Sequence, residues 1–411
     1  MTMRGSIASL APDVRLPVRE RVAVAAVYRL LRHWRIGSLV VDLPDGTSWQ
    51  LTGENPERRA RVTVNDWTFF RRILLAGDVG LGESYVAGEW QCDDLVELFR
   101  LVLQQHAIAG RRAPAAVLKA FASGWRRRHV VEDVRAHYDL GNELFALFLD
   151  ESMTYSAAVF PTATTDLADA QRHKLDGICR RVGLAPGLSV LDIGGGWGSF
   201  ALHAARDYGC RVLSITLSGA QHALARERVR RAGLESKIDV QLCDYRDVAG
   251  HFDRIVSIEM FEALGYRSWP TFFRTCERLL APGGRMFLQT TVYPHPDFRA
   301  YRRNVDWLRL HVFPGTLLGS LQEIVRILAA ETGLRIQWMD DIAPHYAATL
   351  HCWRERFRRN LPAVRRLGFD DAFIRKWDLY LATCEAAFSV RHLGTLQLLI
   401  GSAPAPGIPM S

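Results

Sequence analysis

No stretch of this 411-residue chain approaches the ~20 uninterrupted apolar residues of a membrane-spanning helix, so any membrane contact has to be peripheral. Paired cysteines are missing too. The seven present (Cys92, Cys179, Cys210, Cys243, Cys276, Cys352, Cys384) are scattered, odd in number and never spaced C-x-x-C. That argues against a disulfide framework and a structural zinc site, leaves no metal candidate, and points to a reducing compartment. The first residues lack the apolar core of a secretion signal, because Pro12, Asp13, Arg15 and Pro17 interrupt it. Residues 111–130 contain no acidic side chain. Nor is there a recognisable module of interleaved aromatic and basic residues for RNA, which argues against a nucleic-acid partner.

What remains is an ordinary globular composition, 48% hydrophobic and 23% charged, in a chain long enough for two domains. The net charge of +8 favours an anionic partner, and charge alone does not separate nucleic acid from a membrane surface.

Residues 20–35 mix apolar and basic residues at helical spacing, as a surface helix or a membrane-lying one would. Residues 36–52 read as a hairpin around Pro44-Asp45-Gly46, with helices expected near 65–76 and 93–108. The spacing divides the chain into an N-terminal domain (1–110), a basic linker (111–130), a second domain (131–401) and a frayed tail (402–411). In the linker Trp125 adjoins Arg126, Arg127 and Arg128, a solvated face or a phospholipid headgroup contact.

From about 170 the pattern alternates strand and helix. Strands are expected at Ser189–Ile193, Arg211–Thr216, Ile238–Leu242, Arg254–Ile258 and Arg285–Thr290, with helices at 198–207, 219–232 and 268–280. This is the signature of an α/β, Rossmann-like, doubly wound sheet, joined to a smaller α+β N-terminal domain. After about 297 the pattern is helical and Arg-rich.

Within LDIGGGWGSF, a strand runs through Asp192 into Gly194, Gly195, Gly196, Trp197 and Gly198, and then into a helix. Glycines let backbone approach a ligand, and the helix that follows offers free N–H groups. A glycine-rich turn without a ligand is the alternative. The acidic residue that a dinucleotide site needs about twenty positions on is absent from RVLSITLSGAQ, which offers Thr216, Ser218 and Gln221 instead. CDYRD then supplies Asp244 and Tyr245 after the third strand. An adenosyl ligand without a diphosphate fits this set better than a dinucleotide.

Eight segments in order resemble the cyclopropane fatty acid synthase family over nearly the whole chain. They are GDVGLGESYVAGEW (77–90), HYDLGNELF (137–145), MTYSAAVF (153–160), LDIGGGWG (191–198), SITLSGAQ (214–221), CDYRD (243–247), SIEMFEALG (257–265) and VFPG (312–315). The resemblance implies a methyltransferase fold with an appended lipid-associated domain, S-adenosylmethionine as donor and unsaturated phospholipid acyl chains as substrate. By motif it assigns Tyr138, Tyr155, Ser156, Gly194, Gly196, Thr216, Gln221, Asp244 and Tyr245 to the cofactor, with Asp192, Trp197, Gly198 and Ser218 beside them. Tyr138 is counted with the reaction as well.

An alkene is a poor nucleophile, so the reaction needs a strong electrophile, close alignment and exclusion of water. Methyl transfer leaves a cation on the chain, and the proton then removed determines the product. The resemblance implies a bound bicarbonate as base in cyclopropane-forming members, with Glu262 and Tyr346 matching two of its partners. Three other positions depart: Ala157 replaces the cysteine of Y-S-C-A, Gln289 the histidine of L-H-T-I, and Ala263 a histidine after the glutamate. The expectation is methyl branching of an unsaturated acyl chain, with Glu262 or Tyr346 as base and Gln289 able to hold an anion. Cyclopropane formation with bicarbonate is the alternative. A catalytically inactive lipid-binding subunit is the alternative of another class. The expected setting is cytoplasmic, peripheral on the inner face of the membrane, and a homodimer is one assembly open to such a fold.

Overall fold

The computed structural model describes residues 16–109 and 140–402. The whole of the basic linker, Tyr138 and all of the expected tail but Ser402 lie outside those ranges. Contacts divide the chain into two compact units.

The first unit holds a four-stranded sheet, β1 (Ile36–Asp42), β2 (Ser48–Thr52), β3 (Glu54–Val64) and β4 (Trp90–Cys92), in the order β2-β1-β3-β4. The expected hairpin is there: β1 and β2 pair antiparallel, with Val41 opposite Trp49. Helices cover Val18–Leu31, Thr68–Val86 and Leu95–Ala109. This unit also takes in residues 299–312 and 357–392, so the contiguous 131–401 domain needs correcting. The reason is local. Gly82 leaves room for an indole, since a Cβ there would lie 2.3 Å from Trp307, and the Asp78 carboxylate accepts the Trp307 backbone N–H at 3.0 Å. Further on, Arg100 donates to Ser389 at 2.8 Å. Packing of the GDVGLGESY helix against a distant segment leaves no periodic trace in sequence.

The second unit is a seven-stranded sheet in the order β10-β11-β9-β8-β5-β6-β7. Its strands are β5 (Ser189–Ile193), β6 (Arg211–Thr216), β7 (Ile238–Leu242), β8 (Phe252–Ile258), β9 (Leu280–Val292), β10 (Leu334–Asp341) and β11 (Gly394–Ser402). The five from β5 to β9 run parallel, as their apolar runs and intervening helices require. Val190, Val212, Val240, Val256 and Phe287 from these strands pack with Ile178, Phe200 and Val229 from the helices. The expectation of helix alone after 297 fails at β10 and β11: β11 adds antiparallel to β9, and β10 adds antiparallel to β11 at the edge. In β11 all but the ends are buried, so its apolar run carries no alternation to mark it as a strand. The order places the carboxyl ends of β5, β6 and β8 side by side, where ligands of open α/β sheets bind.

Candidate active site

All of the described site residues belong to the second unit. At the end of β5 the chain turns through Gly194 (φ +82°), Gly196 (φ +56°) and Gly198 (φ +82°), the last capping helix Ser199–Asp207. These left-handed angles cost an L side chain energy, which accounts for glycine there. Gly195 is required for a different reason: a Cβ would meet the Ser214 hydroxyl at 1.9 Å and the Asp192 carboxylate at 2.5 Å. Asp192 therefore supports the turn from beneath, accepting from Ser214 at 2.9 Å. Burial pushes its carboxyl up to about 7, against the lowering effect of that hydrogen bond. By contrast a Cβ on Gly196 would meet nothing within 4 Å, so the turn is open on that side.

The end of β6 is organised by a helix cap. Thr216 donates to Gln221 at 2.8 Å, and the Ser218 side chain accepts from the Gln221 N–H at 3.3 Å. These groups bracket a cleft of about 570 Å³ lined by Leu217, Ser218, Gly219, Leu242, Cys243, Asp244 and Asp247. Leu217 and Leu242 are each about half exposed (51% and 54%) at its rim, offering apolar faces to a flat ring. Asp244 is held by Arg246 at 2.7–2.9 Å, which keeps its carboxyl below the usual range. Tyr245 is buried edge-on against Phe272, 5.5 Å between centroids, and does not line the cleft. The open turn, the apolar rim and the pre-formed cap suit a nucleoside with a short polar tail, the shape of S-adenosylmethionine.

From the glycine turn a line of rings leads inward. Trp197 meets Phe145 at 5.1 Å, Phe145 meets Tyr155 at 5.2 Å, Tyr155 meets Trp353 at 5.1 Å and Trp353 meets Tyr346 at 6.1 Å. Trp197 is fixed by its indole N–H on Asn142 at 2.7 Å. Ser156 is spent on the scaffold: its hydroxyl accepts from the Lys174 ammonium at 3.0 Å and its carbonyl from Gln171 at 2.8 Å.

At the far end of the rings lies a partly buried carboxylate that is not among the residues the motifs assign, Glu259. Its Oε1 accepts from the Ala157 backbone N–H at 2.9 Å and from the Gln289 amide at 2.8 Å; its Oε2 accepts from the Tyr346 hydroxyl at 2.8 Å. Burial raises its pKa, while those three donors and the Lys174 charge oppose the rise. Lys174, also missed, is itself fully buried, which lowers its pKa to about 8 against the pull of Glu259, Asp150 and Asp192.

Glu262 is differently placed. Its Oε1 accepts from the Thr291 N–H and its backbone carbonyl from Leu317 at 2.8 Å, while no hydrogen bond reaches the buried Oε2 among the described residues. Burial, then the nearby Glu259 charge, pushes it up to about 8. With three donors and a buried cation Glu259 carries the negative charge, and Glu262 beside it keeps its proton. The side chains of Gln289 and Tyr346 thus converge on Glu259 rather than on Glu262, which moves the candidate base to Glu259. The visible signal was the two glutamates three residues apart in SIEMFEALG. The left-handed Glu259 backbone (φ +51°) that turns its side chain inward was not visible.

Residues 125–398 match the family model described as mycolic acid cyclopropane synthetase. The tuberculostearic acid methyltransferase UfaA1 of Mycobacterium tuberculosis is 42% identical over 340 residues, 80% of this chain and 79% of that protein. The cyclopropane-fatty-acyl-phospholipid synthase of Escherichia coli is 34% identical over 386 residues, 90% of this chain and 97% of that one. Among solved structures, the mycolic acid cyclopropane synthase CmaA1 complexed with SAH and CTAB superposes with a TM-score of 0.61 at 29% identity, covering 67% of this chain and 98% of that one. A coclaurine N-methyltransferase superposes at 0.64 with 22% identity, over 79% of this chain and 99% of that one, a likeness of fold alone.

Proposed function

The chain belongs to the mycolic acid cyclopropane synthetase family, and we propose that its own reaction is methylation of an acyl double bond followed by proton loss to Glu259. It is an S-adenosylmethionine-dependent methyltransferase of fatty acyl chains. The donor fits the residues present: the turn at Gly194–Gly198, the Thr216–Ser218–Gln221 cap and the cleft at Leu217 and Asp244 would hold it. Bound there, S-adenosylmethionine supplies an electrophilic methyl group.

The protein's own contribution follows from the inner site. The rings from Trp197 to Tyr346 pack into an apolar line, which would exclude water and offer π-faces to a cationic carbon. When a double bond accepts the methyl, one of its carbons becomes cationic. Glu259 then takes a proton from a neighbouring chain carbon, and that C–H pair becomes the new double bond. The product is a methyl-branched unsaturated chain. The observation that carries this reading is the Glu259 carboxylate held by Ala157, Gln289 and Tyr346, positions that the resemblance ties to a bicarbonate. An internal carboxylate fills that role here, and raised proton affinity suits a base.

Cyclopropane formation is the second reading, favoured by the 34% identity to the Escherichia coli synthase over 90% of the chain. Incubation with S-adenosylmethionine and unsaturated phospholipid, followed by mass spectrometry of the acyl products, tests both. A methyl-branched product formed without bicarbonate supports the first; absence of cofactor binding would instead indicate an inactive lipid-binding subunit.

We further propose phospholipid as the acyl carrier and peripheral contact with the inner face of the membrane. Helix Val18–Leu31 supports this, exposing Val18 (68%) and Val22 (59%) beside Arg19 and Arg21, with its Glu20 buried. Sedimentation with anionic but not neutral vesicles, weakened in V18D/V22D, tests it. A homodimer on that surface is read from the mass in solution.

A further inference from the structure

Gln289 is fully buried on β9 and makes contacts of two kinds. Its Nε2 donates to the Glu259 carboxylate at 2.8 Å and reaches the Ala157 carbonyl at 3.3 Å; both partners can only accept. Its Oε1 faces the other way and accepts from the amide of Gln397 at 2.9 Å. The two glutamines sit directly opposite each other on β9 and β11. A terminal amide rotated by half a turn keeps its shape and exchanges donor for acceptor. Which way Gln289 points is thus decided by its neighbours. Gln397, buried with 8% exposure, holds the oxygen end with a donor.

We propose that Gln397 is a positioning residue for the reaction: by donating to Gln289 it locks that amide with its N–H toward Glu259 and so sets the proton affinity of the base. This rests on the reading of Glu259 as base. Each element packed around Glu259 contributes to the same balance. Tyr346 donates from helix Ala343–Arg359, and Lys174 supplies positive charge from helix Leu167–Val182. Glu262 on the adjacent turn opposes with negative charge when ionised. Gln289 becomes an acceptor toward Glu259 by rotation of its amide alone, which makes its orientation worth a second residue.

The test is the pH–rate profile of wild type, Gln397→Met, Gln397→Glu and Glu259→Gln on phospholipid vesicles, with melting temperatures and KM for S-adenosylmethionine measured alongside. Methionine removes the donor at nearly constant volume. Without it the amide is free to rotate, Glu259 loses hydrogen-bond support and its pKa rises. The ionised base is the active form, so the acid limb of kcat moves to higher pH. We expect Gln397→Met to lose about threefold on the limb, half a pKa unit, and to recover above it. Gln397→Glu, when ionised, presents an acceptor that inverts Gln289, and roughly tenfold is expected on the limb. KM for S-adenosylmethionine stays within about twofold, because the cofactor end is untouched.

A Gln397→Met profile that superposes on wild type, or a loss by one factor at every pH in both variants, overturns the proposal. Glu259→Gln separates the two levels. If it keeps wild-type activity, the base assignment itself falls. If it abolishes activity while Gln397→Met leaves the limb in place, the assignment stands and only the role of Gln397 falls.

Discussion

The two ends of the site are built on opposite principles. At the cofactor end, backbone turns and a helix cap do the work, and the polar groups there satisfy one another: Thr216 with Gln221, Ser218 with the Gln221 N–H, Asp192 with Ser214, Asp244 with Arg246. At the reaction end, the partly buried Glu259 and Glu262 and the fully buried Lys174 gather within one apolar wall, all with displaced pKa values. Burial of ionisable groups is costly unless they are paired and hydrogen-bonded. Binding a common donor is thus assigned to backbone geometry, and the choice of product to buried charge.

The sharpest way to break this contrast is Glu259→Gln. We expect kcat to fall by about 10²–10⁴-fold with affinity for S-adenosylmethionine retained, as general-base loss predicts. Calorimetric binding together with product analysis reads both; parallel loss of binding and turnover would merge the two ends into one unit. Glu259→Gly goes further. The left-handed backbone there tolerates glycine without strain, so the substitution empties a carboxylate-sized space lined by Ala157, Gln289 and Tyr346. Added bicarbonate or formate should restore activity by roughly tenfold or more, as small-anion replacement of a base allows. No response to either anion would remove Glu259 from the base position.

At the cofactor end Gly195→Ala should act in the reverse sense. Its Cβ would displace Ser214 and Asp192, costing about 1–3 kcal/mol of stability as overpacking does. Weaker S-adenosylmethionine binding should accompany that loss, while bound enzyme keeps its product distribution. Thermal melts with and without cofactor check it.

Legibility in the sequence followed the same divide. The glycine turn, the Thr216–Gln221 cap and the parallel strands from β5 to β9 were legible because each is local: a strand, a turn and a cap lie within ten residues. Glu259 was not, since its partners come from residues 157, 289 and 346, and only the fold brings them together. The strand β11 was unreadable for want of alternation, and with it Gln397. The joining of residues 299–312 and 357–392 to the first unit rests on contacts far apart in sequence, among them Trp307 against Gly82 and Arg100 with Ser389. Tyr245, assigned to the cofactor by motif, packs its ring edge-on against Phe272.

A smaller effect separates the two glutamates. The folded pKa of Glu262 lies above its ordinary value, so its ionisation opposes folding: the contribution of this group to stability is fully present below about 4.5 and is lost as pH rises through about 8. Glu262→Gln should therefore flatten the fall of melting temperature between about pH 4.5 and 8 by a few degrees, a typical shift for about 1 kcal/mol. An unchanged pH dependence would place the missing proton elsewhere.

The most direct measurement is the product of the wild-type enzyme with S-adenosylmethionine and unsaturated phospholipid in carbonate-free buffer, then with added bicarbonate. A methyl-branched unsaturated chain, formed at the same rate in both, is the predicted result. A cyclopropane ring whose formation depends on bicarbonate would contradict the assignment of Glu259 as the built-in base.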